Sequence, residues 1–142
     1  MNADQNLANT STNETADERR EKLDRITEGI IGCAQRVSNV LGSGFLEKVY
    51  ENALAIELRK TGLVADQQRE TAVRYDDQVV GQYTADLLVE NCVIVELKAV
   101  LALDEIHRAQ CMNYLKATGL SVCLLIYFGR PKLEVKRIVS NF

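Results

Sequence analysis

Apolar residues along the chain recur with two different periods. Leu23, Ile26, Ile30, Ile31, Ala34 and Val37 fall mostly three and four apart, the spacing of an amphipathic helix. Asp17 is the expected cap of this helix, and Gly42-Ser-Gly44 is expected to break it. A second helix is predicted over 45–60, with Leu46, Val49, Tyr50, Ala53, Leu54 and Leu58 as its apolar stripe. Gly62 stands where a C-terminal glycine belongs. The period then shortens. Strands are predicted over 68–75 and 79–89, joined at Asp76-Asp77, and over 93–98, joined at Glu90-Asn91. Asp104 is expected to cap a third helix through Ala117, stopped by Gly119. A strongly apolar strand over 121–128, a turn at Gly129-Arg130-Pro131 and an alternating strand over 133–139 complete the chain. The order ααβββαββ reads as an α/β or α+β fold with a mixed sheet.

Residues 1–16 are polar and rich in Asn, Thr and Ala, so a disordered tail is expected there, leaving 17–142 as one domain. The 142 residues suffice for one sizeable core. No apolar run approaches the roughly 20 residues that span a bilayer, and the N-terminus lacks the pattern of a signal peptide. No membrane partner and a cytoplasmic location are therefore expected. Cys33, Cys92, Cys111 and Cys123 form no C-x-x-C pair and sit in apolar settings, so they read as small core residues. One histidine makes a zinc site a poor reading. The net charge of −3 argues against a general nucleic-acid coat protein. It divides unevenly, however, into −7 over 1–97 and +4 over 98–142. The basic end is suited to phosphates, or simply balances the acidic part.

The chemistry concentrates in Asp86-Leu-Leu-Val-Glu-Asn-Cys-Val-Ile-Val-Glu96-Leu-Lys98. A charge in a buried strand costs several kcal/mol unless it is paired or binds a metal. Glu96 and Lys98 are two apart and share a strand face. Two carboxylates for a hard cation, with an ammonium beside them, suit phosphodiester hydrolysis. The bland alternative is an edge strand with a surface Glu–Lys pair. Strand parity separates the two. A two-residue loop at Glu90-Asn91 pairs Val89 with Cys92 and turns Asp86 away from Glu96. A three-residue loop pairs Val89 with Val93 and sets Asp86 opposite Glu96. Such a loop usually ends in a left-handed residue, a poor role for Cys92, so a bulge or bend near Asp86 is the other route. A hairpin of the irregular kind is expected, with both carboxylates on one face.

Two helices carry further candidates. Glu47 and Tyr50 lie three apart on the second helix. Tyr50 reads as core, and Glu47 either as a site acid or as a charge favoured by the helix dipole. His107, Gln110 and Tyr114 form a stripe on the third helix, which follows the Glu96–Lys98 strand and should pack beside it. The alternative is an exposed polar stripe, with His107 a surface or capping residue rather than a general base.

Together these residues resemble the PD-(D/E)XK nuclease superfamily and, within it, the small GxxExxY family. The resemblance runs over about 24–139 and rests on ordered motifs. They are Gly44-x-x-Glu47-x-x-Tyr50, Gln68, Tyr75, Gly81-x-Tyr83-x-Ala85-Asp86, Val95-Glu96-Leu-Lys98-Ala99-Val100, His107-x-x-Gln110-x-x-x-Tyr114-Leu115 and Lys136-Arg137-Ile138-Val139. Gln110-x-x-x-Tyr114 also resembles a helix motif of RecB-type exonucleases. The resemblance implies a restriction-endonuclease-like core: a central mixed sheet flanked by helices, with the acids on a bent hairpin. It implies that Asp86, Glu96 and the Leu97 carbonyl bind Mg²⁺ or Mn²⁺. Lys98 would act on the attacking water or the transition state, Glu47 would add an acidic contact, and Gln110 and Tyr114 would position Lys98 or substrate. The chain departs from the family at Cys123, at Tyr127-Phe128 and at Thr84, changes that touch substrate contacts rather than the metal site.

The function expected is thus a metal-dependent nuclease acting on nucleic acid, DNA ahead of RNA. The alternative is a catalytically silent nucleic-acid-binding or protein-interaction module with the same fold. The apolar strand ending in Phe128 also admits a homo-oligomer or a partner protein.

Overall fold

The computed structural model describes residues 14–100 and 105–140. Two helices, α1 (Ala16–Leu41) and α2 (Glu47–Lys60), precede strands β1 (Ala65–Tyr75), β2 (Gln78–Val89) and β3 (Val93–Lys98). Helix α3 (Glu105–Thr118) then leads to β4 (Val122–Tyr127) and β5 (Glu134–Val139). The strands form one sheet in the order β1-β2-β3-β4-β5, with only β3 and β4 parallel. The fold is the mixed-sheet ααβββαββ arrangement that the periodicity predicts.

Helix α1 is capped by Thr15, whose side chain accepts the Glu18 N–H at 3.0 Å. Asp17, the expected cap, instead lies in the first turn, where its charge suits the helix dipole. Leu23, Ile26, Ile30, Cys33, Ala34 and Val37 face the core, whereas Ile31 is exposed because it sits one helical step off that stripe. On α2 the buried face is Tyr50, Leu54, Ala55 and Leu58, with Glu51 among them. Leu46 and Val49, expected on it, are exposed: Leu46 precedes the first helical turn and Val49 begins the opposite face. Gly62, at φ 86°, closes the helix, with its N–H bonded to Arg59 O and the Leu63 N–H to Leu58 O. Asp104, the expected cap of α3, lies outside the described residues.

The sheet is covered on both faces. Helices α1 and α2 pack on Leu87, Val89, Val93, Val95, Leu97, Val122, Leu124 and Ile126. Helix α3 packs on the other face, over Ile94, Cys123, Leu125, Tyr127 and Ile138. Strand β4 is therefore buried at all six positions and reads as a continuous apolar run. Strand β1 starts at Ala65, three residues earlier than expected, because Asp66 and Gln67 lie on an edge strand and mask its pattern. Among the described residues no helix is long and apolar enough to cross a membrane.

Tyr50 is fully buried, stacked on Phe128 with ring centroids 4.5 Å apart. Its hydroxyl donates to Gly42 O at 2.6 Å and accepts the Phe45 N–H at 3.2 Å. One core side chain thus ties down the 42–45 loop that leads into Glu47. Tyr50→Phe, which strands both loop groups, should cost about 1–3 kcal/mol in urea denaturation. Tyr50→Ala should cost about 3–5 kcal/mol, as expected for a buried aromatic. Equal stability of Tyr50→Phe and the parent would show that the loop bonds contribute nothing.

Candidate metal and active site

The site begins with a break in strand alternation. On a regular strand residues 83, 85, 87 and 89 share one face. Here Tyr83 and Ala85 pack in the α3 layer, whereas Leu87 and Val89 pack under α1 and α2. The side chains change sides at Asp86. The β2–β3 ladder runs Val89↔Val93, Leu88↔Ile94 and Leu87↔Val95 and stops there. This is the three-residue register. Its left-handed residues are Glu90 and Asn91, at φ 54° and 55°, so Cys92 is spared that conformation. Beyond Leu87 the upper part of β2 pairs with β1 alone.

Asp86 fills the gap this leaves. Its Oδ2 accepts the Leu97 N–H at 2.9 Å. Across the β1–β2 ladder, Gln67 pairs with Leu87 and Arg69 with Ala85, and the intervening Gln68 has a φ of 53°. Gln68 donates to Glu51 Oε1 at 2.6 Å, and Gln67 donates to Glu51 Oε2 at 2.6 Å. Lys48 completes the buried Glu51 carboxylate at 3.0 Å. Helix α2 thus grips β1 at the position facing Asp86.

Glu96 is 6% exposed, and its Oε1 has no hydrogen-bond partner. Burial, reinforced by the Asp86 carboxylate, pushes its pKa up to about 9, and a hydrogen bond shared with Asp86 adds to the rise. Lys98, half-buried on the same strand face, opposes it. Asp86, Glu96 and Lys98 are therefore together. Glu96 and the Asp86 carboxyl supply oxygen acceptors in a dry setting with one of them orphaned, a donor set that fits a hard divalent cation.

The other candidates separate into near and far. Tyr114 stacks on Tyr83, with centroids 3.6 Å apart and planes 5° from parallel. Burial and the nearby Glu96 raise the pKa of both phenols. Gln110 is half-buried one turn before Tyr114. His107 Nδ1 lies 3.0 Å from Tyr127 Oη, linking α3 to β4. Glu47 stands apart. It is exposed at the start of α2, lining a cavity of about 520 Å³ with Ser43, Gly44, Ala99, Val100 and Gly129. Among the described residues no three His, Cys, Asp or Glu side chains are grouped to hold a metal ion, so Glu47 does not join the Asp86–Glu96 pair.

Several neighbours of the site carry little signal of that position in the sequence. Tyr83 is buried with an unpartnered hydroxyl, but regular alternation would have pointed it away from Asp86. Cys111 and Cys123 share a hydrogen bond beside Glu96, which together with burial raises the Cys123 thiol. Glu51 was legible as a charge next to the Tyr50–Leu54–Leu58 stripe.

The solved structure of SSO0001 superposes with a TM-score of 0.53 at 18% identity, over 68% of this chain and 51% of that one. The chain thus spans about half the length of that structure, and the likeness is one of fold. The structure of an alkaline exonuclease (LHK-Exo) from Laribacter hongkongensis aligns at 12% identity and a TM-score of 0.36, over 76% of each chain. Comparison with curated proteins gives no match. The family model described as the PD-(D/E)XK nuclease superfamily matches residues 24–138, from within α1 to the penultimate residue of β5. The sheet and its break at Asp86 fall inside that span, and the chain belongs to the PD-(D/E)XK nuclease superfamily.

Proposed function

We propose that the chain is a divalent-cation-dependent nuclease of the GxxExxY type that hydrolyses phosphodiester bonds in nucleic acid, with DNA the first substrate to test. The observation that carries this reading is the buried Glu96, its Oε1 orphaned, meeting Asp86 beside Lys98. Asp86, Glu96 and the Leu97 carbonyl would hold Mg²⁺ or Mn²⁺. When bound, the cation supplies neutralisation of a phosphate oxygen and lowers the pKa of a water. Asp86 keeps one oxygen on the Leu97 N–H and is thereby oriented. We assign to Lys98 the charge that develops on the phosphate oxygens, and to Gln110 and Tyr114 the positioning of Lys98 or substrate. Glu47 is assigned a contact with substrate beside Ala99 and Val100, apart from the cation.

A second reading is a catalytically silent binding module. It is favoured by the sparseness of the site, since no third acid joins the pair among the described residues.

Nuclease assays on several substrates with Mg²⁺, Mn²⁺ or EDTA separate the two. Lys98→Ala should lower cleavage by about 10²-fold or more while leaving the fold intact. Cleavage at the parent's rate would remove Lys98 from the chemistry, and no cleavage by the parent on any substrate would favour the silent module.

Asp86→Asn and Glu96→Gln should each weaken Mn²⁺ binding by about tenfold or more in calorimetric titration, because ligand charge sets affinity for a hard cation. Asn at 86 can still accept the Leu97 N–H, so a loss there reports on the cation. Unchanged affinity in both variants would sink the site.

Glu96 also makes stability depend on pH. Folded, it keeps its proton up to about pH 9, whereas its ordinary pKa is 4.5. Between those values the folded chain holds a proton that the unfolded chain has lost, so stability falls as pH rises. In EDTA, Glu96→Gln should remove that slope and gain on the parent from pH 5 to pH 8. A difference in urea midpoint that stays constant over this range would show that Glu96 is ionised throughout.

A further inference from the structure

A groove of about 580 Å³ opens between the β1–β2 hairpin and α3, lined by Arg74, Tyr83, Asn113, Tyr114 and Lys116 among others. We propose that it holds a single strand of nucleic acid and leads it to the Asp86–Glu96 pair. This deepens the nuclease reading and rests on it for what happens to the strand.

Four observations carry the proposal. The groove wall contains the stacked Tyr83–Tyr114 rings, a planar aromatic surface of the kind on which bases pack. Tyr83 is 8% exposed, yet its hydroxyl has no partner, so one residue of the wall carries a buried polar group left unsatisfied. Arg74 and Lys116 are exposed at the groove and belong to no ion pair among the described residues. Among the described residues no carboxylate lines the groove, so its charge is complementary to phosphate. Finally, the two stacked tyrosines that line the groove also border the acids: Tyr83 and Tyr114 pack in the same layer as Ile94, the strand neighbour of Glu96, and Glu96 raises the pKa of both phenols. A shift of register between Val73 and Arg74, with Val80 left unpaired, sets Arg74 on an irregular stretch of the hairpin.

The form of the groove selects a single strand. A volume of this size is that of a small-ligand cleft, within the roughly 300–1,000 Å³ range. A duplex keeps its bases stacked inside and offers phosphates and groove edges. Only an unstacked base can lie against the tyrosines while its phosphates meet Arg74 and Lys116.

The test uses the full chain in EDTA, so that binding is read without turnover. Fluorescence anisotropy follows a labelled DNA strand of about a dozen nucleotides, an RNA strand of the same sequence, and the DNA duplex. Single strands should bind more tightly than the duplex, and the DNA and RNA arms identify the sugar preferred. Arg74→Glu combined with Lys116→Glu should weaken single-strand binding by about tenfold or more and reduce the salt slope by about 1.4, for two phosphate contacts. Arg20→Glu combined with Arg25→Glu on α1, across the sheet, should change affinity by no more than about twofold. Equal losses from both pairs, or tighter binding of the duplex, would overturn the groove. If the groove variants cleave with the parent's KM while Lys98→Ala does not cleave, the nuclease stands and the groove falls. If strands bind as described and the parent cleaves none of them, the groove stands and the nuclease falls.

Discussion

The hydrogen bond from the Leu97 N–H to the Asp86 carboxylate does, at one point, what ladder bonds do elsewhere in the sheet. Strand β2 leaves β3 after Leu87, and the N–H of a fully buried residue would otherwise face no partner. An unmade bond of that kind costs about 1–3 kcal/mol. A carboxylate can take the bond with one oxygen and keep the other for a second partner, which a backbone carbonyl in a regular ladder does not offer to a neighbouring side chain. The break is held from the far side too. Glu51 receives Gln68 and Gln67, and Gln68 carries the left-handed backbone opposite Asp86. Strain of this sort persists where surrounding contacts over-determine it.

The same break decides how the charges are tolerated. Glu96 lies in an apolar layer with Ile94, Leu125 and Cys111, and Lys98 is the group acting to lower its pKa. Tyr83, Tyr114 and Cys123 add polar atoms but no positive charge. In the proposed nuclease, a carboxyl so placed takes a proton or a cation, and each excludes the other. Proton and cation therefore compete for one oxygen-rich position. Occupancy by either relieves the burial of Glu96, whereas ionisation without a cation leaves two carboxylates facing each other.

Much of the fold was legible because its signals are local. The period change after Gly62, the apolar run of β4 and the turns at Asp76-Asp77 and Glu90-Asn91 each follow from a few neighbouring residues. Even the register of the β2–β3 hairpin followed from parity, once Asp86 and Glu96 were required to share a face. What escaped depends on contacts distant in sequence. Ile31, Leu46 and Val49 fit an apolar pattern, but which flank of a helix meets the sheet is set by the partner it packs on. Ala65 and Asp66 join the sheet because the lower part of β2 offers a free edge, not because of their own propensity. Tyr83 shows why strand alternation alone does not find the site's neighbours. Counting by twos from Asp86 assigns it to the wrong face, and only the break corrects the count.

The parallel pairing of β3 with β4 gives these local facts a common direction. In α/β sheets ligands collect beyond the carboxyl ends of parallel strands, where helix-bearing connections diverge. Glu96 and Lys98 are near the last residues of β3, and Lys98 pairs with Tyr127 at the end of β4. Two cavities flank the sheet, and the second of them is lined by residues just past β3 and β4. One lies on the α3 side, with Tyr83 and Tyr114. The other lies toward the start of α2, with Glu47, Ala99 and Val100. Tyr50, by fixing the loop before Glu47 against Phe128 just past β4, holds the second flank to the same strand end. Glu47 is then placed on the α2 flank, and it forms no three-acid group with Asp86 and Glu96 among the described residues. Glu47 stands at the start of α2 and Glu96 near the end of β3, so in the proposed nuclease a substrate that meets both passes over the end of β3.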